Sequence, residues 1–172
     1  TPSPSVLQDA AREKSIVFSY SIVSRAKEVP TAVWVVEFDN GGNPLSRTDA
    51  ATGVYEVLDE AGFNASTVSV EPQFLESTKS ALLESFRSAY GDEYERLIYG
   101  SVRISDFQEE KDRYTVEVSG SVNAVAVPSG TVLYSSNTLS KSAIGQNPQS
   151  AMSAAFKQFG KNLGSALVDS LP

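Results

Sequence analysis

The fold of this chain is decided by residues 97–139, which read LIYGSVRISDFQEEKDRYTVEVSGSVNAVAVPSGTVLYSSNTL. Apolar and small residues alternate with polar ones on both sides of a polar run at 108–112, and such an alternation of period two is typical of half-buried strands. The polar run is short enough for a hairpin loop, and residues 128–130, Pro-Ser-Gly, have the composition of a second tight turn. The stretch therefore predicts an antiparallel meander of three long strands.

The residues before the meander predict a central strand and two helices. Residues 32–38 (AVWVVEF) are almost continuously apolar, which indicates a strand covered on both faces. A glycine-rich loop follows at 39–44, and apolar residues at helical spacing then predict a helix over 45–61. After a short strand or extended link at 67–70, a second helix is predicted to run unbroken from Pro72 to Gly91.

The closing helix has the clearest boundary, because Asn147 suits the N-cap and Pro148 the first helical position. Gly160 and Gly164, four residues apart, predict a close approach of this helix to the strands. The sequence thus indicates an α/β (α+β) two-layer fold, a mixed sheet with an antiparallel C-terminal meander and helices packed on it. We expect residues 1–14 to form an N-terminal tether with a short helix, and residues 15–172 to form a single domain whose first strand is 15–23.

Charge and residue types exclude several classes of function. The formal net charge is -7, which repels phosphate backbones, so nucleic acid is not expected as a partner. The chain has no cysteine and no histidine, so it has no disulfide, no thiolate nucleophile, no imidazole base and no Cys/His zinc site. We therefore expect no enzyme, no cofactor and no metal. The densest acidic residues are interpreted as the solvated tip of the hairpin: Asp106, Glu109, Glu110 and Asp112.

The loop at 39–44 is the candidate ligand site, because a loop between a central strand and a helix N-terminus presents N–H groups to a small anion. It lacks the spacing of a P-loop or a dinucleotide fingerprint, and a plain loop is the alternative. The candidate ligand-binding residues are Asn40, Gly41, Gly42, Asn43 and Arg47.

Four segments resemble a group of bacterial envelope domains across roughly residues 32–170: VVEFDN at 35–40, LIYGSV at 97–102, PSGTVLYS at 128–135 and the alanine-rich closing helix. The group includes the TolB N-terminal domain, the curli secretion protein CsgG and the outer-membrane lipoproteins that activate penicillin-binding proteins. The resemblance implies a domain of the cell envelope. The hairpin loop is too short for the membrane-spanning insert of a secretion channel, so pore formation is not expected.

These observations together predict a non-enzymatic cell-envelope protein-interaction module, either periplasmic or an outer-membrane lipoprotein. The start TPSPS is typical of a tether, which would be held by an N-terminal lipid absent from this chain. The expected partner is another envelope protein, with membrane contact only through the lipid anchor, and a homo-oligomer stays open. The alternative is a small-ligand or anion-binding domain that uses the 39–47 loop.

Overall fold

The computed structural model describes residues 25–172. The predicted tether at 1–14 and the predicted first strand at 15–23 lie outside these residues. The described part of the chain forms six strands, three α-helices and one 3-10 helix, in this order: β1 Thr31–Phe38, α1 Asp49–Glu60, β2 Ala65–Thr67, the 3-10 helix Pro72–Glu76, α2 Lys79–Tyr90, β3 Arg96–Glu110, β4 Arg113–Ala126, β5 Val132–Ser135, β6 Leu139–Gly145 and α3 Pro148–Ser170.

The strands form one mixed sheet, in the order β2, β1, β3, β4, with β5 and β6 sharing the far edge of β4. Strand β1 runs parallel to both β2 and β3, and the remaining pairs are antiparallel. The α/β fold class and the antiparallel meander are confirmed. The prediction of a third long strand is wrong, because this part of the chain forms two shorter strands, β5 and β6. Between them the chain leaves the ladder, and the Ser136 hydroxyl, in place of a backbone carbonyl, accepts the Val122 N–H at 2.9 Å.

The hairpin between β3 and β4 is tighter than the sequence predicted. The two strands stay paired as far as Glu110 and Arg113, so the turn consists of Lys111 and Asp112 alone. Both turn residues have positive φ, 47° and 62°, as a two-residue hairpin turn matching the twist of its strands requires.

Helices cover both faces of the sheet. On one face, α1 and α3 pack on the inward residues of four strands, including Val33, Ile98, Val118 and Val122. On the other face, α2 covers a smaller area around Trp34 with Leu82, Leu83 and Phe86. Strand β1 is therefore buried on both faces, as predicted, and α2 adds a third, partial layer to the predicted two.

The glycines of α3 contact a helix, and the predicted approach to the strands is wrong. A Cβ on Gly160 would collide with the backbone of Ala50, and one on Gly164 would lie 2.8 Å from Cβ of Val57. Gly53 of α1 faces α3 in the same way, across from the Lys157 carbonyl. The glycines therefore set the distance between α1 and α3, while the aromatic residues of α3 face the sheet core.

Two helix boundaries also differ from the prediction. Helix α1 begins at Asp49, four residues after the predicted start. The helix predicted from Pro72 is broken after Glu76, because Thr78 adopts an extended conformation and its hydroxyl caps α2 by accepting the Ala81 N–H at 3.3 Å. The predicted start of α3 is confirmed, with Asn147 and Ser150 forming a reciprocal capping box.

Candidate functional site

The loop that follows β1 is closed by its own carboxylate. Asp39 accepts hydrogen bonds from the Asn43 backbone N–H at 2.8 Å and from the Asn43 side-chain amide at 2.9 Å. The Gly42 N–H donates to the Asp39 carbonyl at 3.2 Å. The Asn43 hydrogen bonds hold the pKa of Asp39 below its ordinary value. The two donors of Asn43 therefore already bind a carboxylate of the loop itself, and the Gly42 N–H binds a loop carbonyl.

The structure separates the predicted ligand residues into two groups. Asn40, Gly41, Gly42 and Asn43 lie exposed at the loop tip. Arg47 joins the two helices instead: its guanidinium donates to Asp49 of α1 at 2.8 Å and to Gln149 of α3 at 2.7 Å. These positions do not favour a joint anion site, and the ligand-binding role of the five residues stays a prediction.

The carboxylate of Glu37 caps the N-terminus of α1, a role that the sequence reasoning missed. Glu37 has no exposed surface, and its Oε1 accepts the Ala50 N–H at 2.6 Å. Thr48, at the N-cap position, makes no side-chain cap hydrogen bond, so Glu37 takes its place from the neighbouring strand. The alternation of side chains along the strand could have revealed this role. Glu37 lies on the same face as Val33 and Val35, which pack under α1 and α3.

Burial makes the Glu37 carboxyl unusually basic. Loss of solvation raises its pKa from 4.5 to about 7, and the Ala50 hydrogen bond opposes this only in part. Within the described part of the chain its Oε2 has no hydrogen-bond partner, and the Arg47 Nε lies 3.9 Å away, beyond hydrogen-bond distance. The N-terminus of α1 is therefore occupied by a carboxyl group that titrates near neutral pH.

A cleft of about 340 Å³ opens beside the middle of β1, at the point where β2 ends. One wall is formed by the segment that follows β2, with Val68, Val70 and Pro72, and the opposite wall by residues 45–48. Its floor is β1 itself, at Trp34, Val35 and Val36. Of the predicted ligand residues, Arg47 lines this cleft. The cleft lies at the carboxyl end of β2, and open α/β sheets tend to bind ligands at the carboxyl ends of their strands.

The far end of the β3–β4 hairpin is the other notable surface. Strand β1 ends opposite Arg103, so residues 105–113 extend past it and are exposed. The four acidic residues of this tip face solvent, which confirms their interpretation. In the part of the chain that the structure describes, no group of three or more acidic side chains is arranged to hold a metal ion. Over the same residues, no helix is both long enough and apolar enough to cross a membrane.

Two large apolar side chains are exposed at this hairpin end. Phe107 is 42% exposed and its ring lies 6.2 Å from that of Tyr114, centroid to centroid. Ile144 of β6 is 57% exposed. Because Phe107 is paired with Val116 and Ile144 with Thr115, the two side chains lie at the same level on opposite faces of the sheet.

Several solved structures are similar to this chain. The hypothetical protein CT253 from Chlamydia trachomatis aligns with a TM-score of 0.54 at 9% sequence identity, covering 83% of this chain and 97% of CT253. The PelC dodecamer from Paraburkholderia phytofirmans gives a TM-score of 0.46 at 14% identity, covering 86% and 94%. Lipoprotein GNA1162 from Neisseria meningitidis gives 0.42 at 18% identity, covering 81% and 96%. No curated protein matches the chain. The similarity to CT253 supports the fold.

The family comparison is more specific. The model for the TP0693-like lipoprotein C-terminal domain matches residues 30–168, from the start of β1 almost to the end of α3. A lipoprotein family indicates a membrane-anchored protein of the cell envelope, which is the broader part of the resemblance seen in the sequence. The narrower resemblance to TolB and CsgG stays a prediction. The chain belongs to the TP0693-like lipoproteins and contains the C-terminal domain of that family.

Proposed function

We propose that this domain is a non-enzymatic interaction module of an envelope lipoprotein, and that it docks onto another envelope protein through its hairpin end. The hairpin end comprises residues 105–114 together with Ile144. The observation that supports the proposal is the pair of exposed apolar side chains, Phe107 and Ile144, on a part of the sheet that extends past β1. The absence of cysteine and histidine from the sequence supports the non-enzymatic part.

Two exposed apolar side chains at the same end of the sheet suit docking better than single ones at separate places on the surface. Single exposed hydrophobic residues are common and need no explanation. Here two of them lie at one level of β4, on opposite faces, so a partner that holds the hairpin end would bury both. Val132, 50% exposed, pairs near the other end of β4 and serves as the comparison position.

The charge of the hairpin end indicates what the partner surface should carry. Four acidic side chains surround Phe107 and the turn, against two basic ones, Lys111 and Arg113. A complementary surface would place basic residues around an apolar centre, which is the usual arrangement of an interface with a charged rim. We place the domain on the periplasmic side, held at the membrane by an N-terminal lipid.

Site-specific photo-crosslinking tests the proposal in intact cells. A benzophenone amino acid is introduced at Phe107 in one strain and at Val132 in another, and cross-linked products are identified by mass spectrometry. We expect one defined envelope protein to be captured from Phe107 and not from Val132. The substitutions Phe107→Ser and Ile144→Ser should then reduce recovery of that protein in a pull-down, whereas Val132→Ser should not. Equal products from both positions would contradict docking at the hairpin end.

A further inference from the structure

Strand β1 has an unpaired segment at its edge, and Val35 lies in its centre. The Val33 carbonyl accepts the Val68 N–H at 3.0 Å, and the Glu37 carbonyl accepts the Leu45 N–H at 2.7 Å. Alternate residues of a strand direct their backbone groups to the same edge, so the N–H and C=O of Val35 point the same way as these two carbonyls. Strand β2 ends at Thr67, and among residues 25–172 no strand pairs with this edge at Val35.

The backbone groups of Val35 are therefore both buried and unpaired. Val35 is only 4% exposed, and no residue within 25–172 makes a hydrogen bond to its N–H or C=O. Backbone groups of native proteins are almost always paired, so a donor and an acceptor left free by the protein on one residue form an edge with which a further strand can pair. The 340 Å³ cleft lies at this point, and its volume is at the lower end of the roughly 300–1,000 Å³ that is usual for ligand sites.

We propose that this cleft binds an extended segment of a partner polypeptide, which pairs with Val35 and continues the sheet where β2 stops. In an antiparallel strand one residue supplies both the acceptor for the Val35 N–H and the donor for its C=O, and in a parallel strand two alternate residues supply them. The cleft walls at Val68, Val70 and Pro72 fit an aliphatic side chain of that segment. The site is separate from the hairpin end and does not depend on docking there.

The charges at the cleft do not favour an anion as the occupant. The one charged side chain among the residues that line it is Arg47, and its guanidinium is already paired with Asp49 at 2.7 Å. An anion would also leave the Val35 carbonyl without a donor. A peptide backbone supplies both a donor and an acceptor, so it satisfies both groups of Val35.

Amide hydrogen exchange on the full chain, measured residue by residue by NMR, provides the first test. The amides of Trp34 and Val36 face β3, and that of Val35 faces the cleft. In the free protein we expect the Val35 amide to exchange at least tenfold faster than its two neighbours. Addition of the probe peptide acetyl-TVTVT-amide should slow exchange at Val35 and leave Trp34 and Val36 unchanged. An already protected Val35 amide would overturn the proposal, since the edge would then be covered without a partner.

Binding of the same fluorescently labelled peptide provides the second test. Val70→Arg places a long side chain in the cleft and should weaken binding roughly tenfold or more, since alternate side-chain pockets contribute to strand addition. Val132→Arg is the matched control and should bind as the native chain does, and thermal melts establish that both variants fold. A peptide methylated on the backbone nitrogens of one edge should lose binding. Equal binding to both variants, or no binding to the native chain, would refute the site.

Discussion

Replacing Glu37 by glutamine should make the domain more stable at alkaline pH and less sensitive to pH. The folded state holds this carboxyl in a buried position where its pKa is about 7, against 4.5 in the unfolded chain. A raised pKa means that the folded state favours the protonated form. The stability associated with that form is fully present below the unfolded pKa and is lost as pH rises through 7.

The size of the effect follows from the difference in pKa between the two states. A difference of about 2.5 units corresponds to about 3 kcal/mol of unfolding free energy over the full range, at 1.36 kcal/mol per unit. Between pH 5.5 and 8.5 the expected loss is about 2 kcal/mol, because at pH 5.5 the unfolded chain is already largely ionised. Glutamine keeps the carbonyl that accepts the Ala50 N–H and carries no charge, so it should remove this loss.

Urea denaturation, followed by the fluorescence of the single buried tryptophan, Trp34, measures the effect. The relevant quantity is the stability of Glu37→Gln minus that of the native chain, which should rise by about 2 kcal/mol between pH 5.5 and 8.5. Glu60→Gln is the control for the loss of one carboxylate, because Glu60 is exposed near the end of the same helix. If the difference for Glu37→Gln is constant with pH, or no larger than that for Glu60→Gln, the assignment of a neutral buried carboxyl is wrong.

Three further substitutions test the packing and the turns, each by chemical denaturation at fixed pH. Gly160→Ala should cost about 1–3 kcal/mol, because its Cβ would collide with the Ala50 backbone and force α3 away from α1; an unchanged stability would mean that the helices can separate freely. Asn147→Ala should cost about 1 kcal/mol through loss of the capping box, and a smaller loss would indicate that Ser150 suffices. Asp112→Gly should stabilise by about 1 kcal/mol, since Asp112 adopts a positive φ of 62°; destabilisation would contradict a strained turn.

The sequence predicted those elements whose cause is local. Strand β1 was identified because every residue from Ala32 to Val36 is apolar, and the β3–β4 pair because period two persists along both strands. The start of α3 was predictable since capping chemistry is contained in four consecutive residues, 147–150. These features can be predicted without knowing which segments pack against them.

The sequence could not predict features that depend on contacts between distant segments. The role of Glu37 depends on α1 returning to place the Ala50 N–H over the end of β1. The function of Gly160 depends on α1 being its neighbour, and the motif itself fits a strand equally well. The gap at Val35 exists because β2 stops after three residues, a length that is determined by the path of the segment after it.

The same distinction explains why the loop at 39–44 is a weak candidate for an anion site although its composition suits one. An anion site needs N–H groups that lack an acceptor, and here Asp39 and Glu37 supply acceptors to the loop and to the N-terminus of α1. The acidic side chains of the hairpin end are different, because they face water and are available to a partner. Any electrostatic contribution to docking should therefore arise at the hairpin end.

Raising the salt concentration from 0.1 M to 1 M shortens the Debye length from roughly 10 Å to 3 Å. This change should weaken capture through Phe107, while peptide binding beside Val35 should change little.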